Sequence, residues 1–208
     1  MNQLYIVFSS TPYKMGRLVR HVTGDVYNHV SISLDRDLRQ MYSFARRYYK
    51  TPFYGGFVRE SVSRYIREGK TTQVCICSIP VTDEQFENLA AQLLDMEENK
   101  EHYLYNHLSA VASVFGRTAK REDSYTCVEF CTDVLREVGI ALDLDRYYTI
   151  GQLHSILEPN TVYTGPLSPS GEPDAEFYAK APLDHPSTTT LHSIGKLLKR
   201  KRYPDAHR

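Results

Sequence analysis

The spacing of apolar residues changes along this chain, and that change limits the possible folds more than any other feature. Leu4 to Phe8 is a short apolar run of strand length. Residues 28–34 and 39–45 alternate apolar and polar positions around Asp35-Arg36-Asp37-Leu38, the pattern of a β-hairpin. Thr72 to Val81 alternates again, with Val74, Ile76 and Ser78 on one side and Cys75, Cys77 and Ile79 on the other. From Thr82 onward the spacing is helical. Thr82-Asp83-Glu84-Gln85 is a capping-box pattern, followed by a stripe of Phe86, Leu89, Ala90, Leu93, Leu94 and Met96. Helical spacing also covers 103–116 and 125–138, the latter closed by Gly139. Thr149 caps a short helix from Ile150 to Leu157, and Asn160 to Tyr163 suits a closing strand. One early helix interrupts the strands: Thr11-Pro12 offers an N-cap and a first-turn proline, with the helix ending near Thr23 before Gly24. Strands and helices that segregate in this way predict an α+β fold rather than a parallel α/β sheet.

The 208 residues carry zero formal net charge, so no global field draws the chain to nucleic acid or to an anionic membrane. No window is long or apolar enough to span a bilayer. The first ten residues read as a strand rather than an export signal, which sets the expectation of a cytoplasmic protein without firm membrane association. In that compartment the four cysteines are expected as reduced thiols. Sixteen tyrosines and no tryptophan suit pocket walls and polar-tipped packing, but they name no ligand. Beyond Gly165 the composition shifts to Pro, Ser, Thr and Gly. The expected division is therefore a domain over 1–165 and a Pro/Ser/Thr-rich extension over 166–208, with 166–190 an extended or poorly ordered arm and a basic C-terminal tail.

Within the domain the chemistry concentrates on two residues. Ser124-Tyr125-Thr126-Cys127-Val128-Glu129-Phe130-Cys131 places a thiol in the first turn of a helix, where free N–H groups and the positive end of the macrodipole stabilise a thiolate. Tyr27-Asn28-His29-Val30-Ser31-Ile32 holds an imidazole on a strand between stiff neighbours. Acyl transfer by a thiol needs such a base within reach, and a third group to orient it. One Cys and one His are also what an inert core would contain.

Tyr125-x-Cys127-x-Glu129-Phe130, following Tyr27-Asn28-His29-Val30-Ser31-Ile32 and Met41-Tyr42-Ser43-Phe44, resembles the circularly permuted papain-like cysteine hydrolases. These are the YiiX/YebB-like branch of the NlpC-type peptidases, with the lecithin:retinol acyltransferases as distant relatives. The resemblance covers residues 4–163. It implies a papain-like α+β fold with an antiparallel sheet packed on the helix carrying Cys127. It also implies Cys127 as nucleophile, His29 as base, and a peptide, amide or ester substrate. The third member would lie across the hairpin from His29. Ser43 and Gln40 are the candidates there, with Ser43 preferred, though the hairpin register is open.

The remaining groups each carry two readings. Tyr125 could donate to an oxyanion or simply pack. Ser9 and Ser10 could line a substrate wall at a helix mouth or serve as capping residues. Tyr54, in the aromatic loop 48–57, could belong to a lid or to a tyrosine-rich turn. Cys131 suits the core beneath the nucleophile better than a resolving thiol. Cys75-x-Cys77 lacks the turn setting of a structural zinc site, so no metal or cofactor is expected. Lys196 to Arg202 reads as a solvated tail rather than a lipid or nucleic-acid contact. Two rival functions follow from the same residues: a thiol acyltransferase acting on lipid-like acyl groups, and a catalytically silent binding module of the same fold.

Overall fold

A computed structural model of the chain describes residues 2–11, 13, 20–21, 24–51, 53–65, 71–113, 117–144, 146–167, 174–179 and 186–203. The architecture is α+β. Six strands, β1 (Asn2–Ser10), β2 (His29–Ser33), β3 (Met41–Arg46), β4 (Gly55–Glu60), β5 (Gln73–Val81) and β8 (Thr161–Pro166), form one sheet in the order β4-β3-β2-β1-β5-β8. Every pairing in it is antiparallel. Strands β6 (Leu104–Tyr105) and β7 (Ser124–Tyr125) make a separate parallel pair.

Alternation along the strands divides their side chains between two cores. Leu4, Ile6, Phe8, Val30, Ile32, Tyr42, Phe44, Phe57, Cys75, Cys77 and Ile79 face the larger one. There they meet α1 (Asp83–Glu98) through Leu89, Leu93 and Met96, α3 (Cys127–Glu137) through Phe130, Cys131, Val134 and Leu135, and α4 (Ile150–Leu157) through Leu153 and Leu157. Val7, Met41 and Val74 face a smaller core with Leu38, Val62, Tyr65 and Leu167. Each fully buried aliphatic side chain contributes about 1.5–3 kcal/mol of transfer free energy, which is why these central strands are apolar on both sides.

The helix starts follow their caps. The Thr82 hydroxyl accepts from Gln85 N at 3.1 Å and the Gln85 side chain accepts from Thr82 N at 2.9 Å. The same reciprocal pair opens α4 through Thr149 and Gln152, and α3 through Thr126 and Glu129. Helix α3 ends at Gly139, whose φ of +90° lets Ile140 N reach back to the Leu135 carbonyl at 2.9 Å. Gln85 also donates to the Val138 carbonyl at 3.2 Å, tying the start of α1 to the end of α3.

Two expectations need correction and one lies elsewhere. The helical stretch over 103–116 is shorter: Leu104 and Tyr105 are strand, and α2 runs from His107 to Ala112. Asn106 explains the delay, because its side chain accepts from Ser109 N and donates to the Ala119 carbonyl, both at 3.0 Å, so the helix starts after it. Nor are residues beyond 165 only an arm. Among those described, α5 (Ala175–Tyr178) buries Phe177, and α6 (Pro186–Lys199) buries Thr189, Ser193 and Leu197. The basic run is partly engaged too, with Arg200 bonded to Asp123 at 3.3 Å and Glu122 N to the Lys201 carbonyl at 3.0 Å. The helix expected over 11–23 falls mostly outside the described residues, with Arg20 and His21 helical.

Candidate active site

Cys127 is the first residue of α3, and only 5% of it is exposed. Its place is set by the Thr126–Glu129 capping box, in which Thr126 N donates to Glu129 Oε2 at 2.8 Å and Glu129 N to Thr126 Oγ1 at 3.2 Å. Those bonds fix the entry of the chain into the helix and therefore the direction of the thiol. Cys131 lies one turn further on, fully buried, its thiol pushed well above the usual range by burial.

His29 begins β2, opposite Ser9 on β1. The β2–β3 ladder holds only Ile32↔Tyr42 and Ser33↔Met41, so residues 29–31 have no partner on β3. Helix α3 packs against both strands. At this opening the Cys127 thiol lies close enough to the His29 ring to help raise its pKa.

On its other side His29 Nε2 meets Glu60 Oε1 at 3.0 Å, the two side chains 13% and 3% exposed. Glu60, the last residue of β4, also accepts from Ser31 Oγ at 2.6 Å and from the Tyr65 hydroxyl, both on Oε2. Since both hydroxyl protons point at Glu60, the Nε2 proton is the one shared between Glu60 Oε1 and Ser31 Oγ, the latter 3.2 Å away.

The electrostatics follow from this burial. Desolvation alone would lower the His29 pKa, but the Glu60 charge, the nearby Cys127 thiol and the bond to Glu60 outweigh it and push it up to about 10. Desolvation would raise Glu60, but the His29 charge, the His29 bond, Arg64 and Ser31 bring it down to about 2. At neutral pH the pair is an imidazolium and a carboxylate. Tyr105 and Tyr147 feel the charge of the same thiol. Burial, then the proximity of Cys127, drives the Tyr105 hydroxyl well above its usual range; Tyr147 rises to about 12, chiefly through burial.

The residues singled out from sequence separate here. Cys127 and His29 come together. Ser43 does not take the orienting place: its buried Oγ has no hydrogen-bond partner among the described residues. The register puts Ser43 and Glu60 on one face of the sheet, Ser43 opposite Val58 and Glu60 opposite Met41. A longer side chain reaches Nε2 from there and a serine does not. Gln40 lies in the connection before β3, where its backbone bonds Leu34 and Asp35. Tyr125 packs on Phe44, ring centres 5.0 Å apart, one residue before the Thr126 cap. Ser9 stands beside His29 across the β1–β2 ladder, its buried Oγ without a hydrogen-bond partner among the described residues, while Ser10 pairs with Gln73 on β5. Tyr54 belongs to a different cluster, stacked on Tyr48 with the Arg47 guanidinium 5.6 Å from its ring.

Glu60, Ser31 and Tyr65 went unread in the sequence. Arg59-Glu60 follows a short glycine-rich run with little alternation, and a glutamate at a strand end ordinarily faces water. Cys75 and Cys77 are buried, with Thr161 Oγ1 at 3.5 and 3.7 Å. Among the described residues no cluster of His, Cys, Asp and Glu is placed to hold a metal, and no helix is long and apolar enough to cross a membrane. No protein-family model matches the chain, and no curated protein matches it either.

Proposed function

We infer that this chain is a papain-like cysteine hydrolase that cleaves an amide, peptide or ester bond through an acyl-enzyme on Cys127. The observation that carries this reading is the buried His29–Glu60 pair, 3.0 Å apart, gathered from two different strands beside the Cys127 thiol at a helix start. The order of its members, strand histidine before helix-start cysteine, agrees with the resemblance to the permuted NlpC-type hydrolases.

In this reading the His29 imidazolium pairs with a Cys127 thiolate, and Glu60 holds the ring in orientation. The thiolate adds to the substrate carbonyl. As the carbon–nitrogen or carbon–oxygen bond breaks, His29 gives its proton to the leaving amine or alcohol. The neutral imidazole then takes a proton from water as the water oxygen attacks the thioester, releasing the acid and regenerating the ion pair. The Cys127 backbone N–H, at the first helical position, is a donor suited to the oxyanion. A silent binding module would have no need for a carboxylate buried against the imidazole, so Glu60 favours the enzyme over the module.

The test is a panel of peptide anilides and acyl esters followed by mass spectrometry of the intact chain. An acyl adduct on Cys127 that is absent in Cys127→Ala and does not form in His29→Ala is the expected result. No adduct from any acyl donor, with the fold intact and the thiol unlabelled by a thiol-directed probe at neutral pH, would overturn the proposal.

A further inference from the structure

Residues 61–65 form a short turn with Tyr65 at its end, and the turn is held from two sides. On the site side, the Tyr65 hydroxyl donates to Glu60 Oε2 and lies 3.1 Å from Ser31 Oγ, while the ring packs in the smaller core. On the far side the turn meets residues 174–178, which lie outside the stretch that carries the sequence resemblance. Asp174 N donates to Ser63 Oγ at 2.9 Å, and the Asp174 carboxylate accepts from Ser61 N at 3.4 Å and from Arg64 Nε. The Arg64 and Asp174 side chains are 6% and 8% exposed, so this is a buried ion pair that neither partner leaves without leaving the other charge stranded. The Arg64 guanidinium lies 4.7 Å from the centre of the buried Phe177 ring, and the Tyr178 hydroxyl donates to the Ser63 carbonyl at 3.4 Å.

A glutamate side chain turns about three bonds, so a carboxylate stays against a histidine only if other donors hold it there. Glu60 has two such donors besides His29, from Ser31 on a strand and from Tyr65 on this turn. Ser31 is fixed by the sheet. Tyr65 is held by its ring in the smaller core, by the Thr72 hydroxyl that donates to its carbonyl at 2.5 Å, and by its turn, and the turn sets where its hydroxyl meets Glu60.

We propose that the Asp174–Tyr178 segment is a positioning element of the candidate active site: it fixes the 61–65 turn, and Tyr65, together with Ser31, then holds the Glu60 carboxylate on His29. The segment touches neither the thiol nor the imidazole in any contact described, and it acts through Arg64, Ser63 and Tyr65. The proposal rests on the His29–Glu60 pairing of the preceding reading, but not on the reaction assigned to it. The charged and titratable groups around this pairing are Cys127 and Tyr65 beside His29, and Arg64 beside Glu60.

A double-mutant cycle read on the His29 imidazole by NMR tests the proposal in the full chain, with the resonance assigned by His29→Gln. Tyr65→Phe keeps the ring and removes the donor; Asp174→Asn removes the charge that anchors Arg64. Each is expected to lower the His29 titration midpoint by roughly one pH unit, tenfold in proton affinity. The double variant is expected to move no further than Tyr65→Phe alone, because Asp174 acts through Tyr65. Phe177→Leu serves in place of Asp174→Asn if that variant does not fold. A wild-type midpoint well above the ordinary histidine value that neither variant moves would overturn the positioning role while leaving the pairing intact. So would full additivity of the two shifts. A wild-type midpoint at the ordinary value would overturn the pairing itself, and this proposal with it.

Discussion

Glu60 is the residue on which the account turns. It is a charged group buried at the end of a strand, and its partner is a histidine that burial alone would keep neutral. Replacing it by Gln preserves shape and removes the charge that raises His29. Glu60→Gln is therefore expected to lower kcat by roughly 10²–10⁴-fold. The high-pH limb of the rate profile should move down with it, from the neighbourhood of about 10 toward the ordinary histidine range. A profile that loses rate without moving would show that Glu60 acts on something other than the imidazole. The same pair contributes to stability in a defined window. The raised His29 pKa gives a contribution that is full below the ordinary histidine value of about 6.5 and is lost as pH rises toward about 10. The lowered Glu60 pKa gives one that is full above the ordinary carboxylate range and is lost as pH falls toward about 2. The difference in unfolding free energy between wild type and Glu60→Gln should accordingly be greatest near pH 5–6 and shrink on both sides; a difference flat from pH 4 to 9 would contradict the linkage.

At the scale of elements, much of the molecule could be read from its letters and some of it could not. A short apolar run located β1, alternation located β2, β3 and β5, and the capping box at Thr82 and the cap at Thr149 located α1 and α4, because in these segments local preference and tertiary burial agree. The same pattern with Glu at Thr126 sets the thiol at the first helical position and could have been read as a full capping box. Strand β4 was not legible. Gly55 and Gly56 lower its strand preference, and they are there for close approach rather than propensity. A Cβ at Gly55 would lie 2.8 Å from both the Ala45 carbonyl oxygen and the Tyr105 Cβ. Glu60 was hidden for that reason, since the strand that carries it was hidden. Gly55→Ala is expected to cost about 1–3 kcal/mol in chemical denaturation, from the forced shift of β3 or β6. A wild-type midpoint would mean that the neighbours yield freely. Thr126→Ala removes the α3 cap and should cost about 1 kcal/mol. It should also slow Cys127 acylation more than that loss of stability explains, because the cap aims the thiol; equal acylation rates would limit Thr126 to a purely structural part.

For the whole molecule, the division at residue 165 reflected composition and not packing. Pro, Ser, Thr and Gly dominate that stretch, and a few apolar residues anchor it: Phe177 and Leu197 are 2% and 1% exposed. Sparse anchors leave little periodic signal, yet they bind the C-terminal region to the turn behind Glu60 and to the loop ahead of Cys127. A chain ending at residue 167 should therefore unfold at a lower temperature than the full chain, and an unchanged Tm would mean that the C-terminal packing contributes nothing to stability. The central claim is narrower, that His29 and Glu60 prepare Cys127 for attack. Its most direct measurement is the rate of Cys127 alkylation by iodoacetamide at pH 6 in the wild type, His29→Gln and Glu60→Gln, with the site of modification confirmed by peptide mapping. The account predicts rapid labelling of the wild type and rates at least about tenfold lower in both variants, equivalent to about 1.4 kcal/mol of lost thiolate stabilisation. Wild-type labelling that is slow at pH 6 and equal in all three proteins would contradict it.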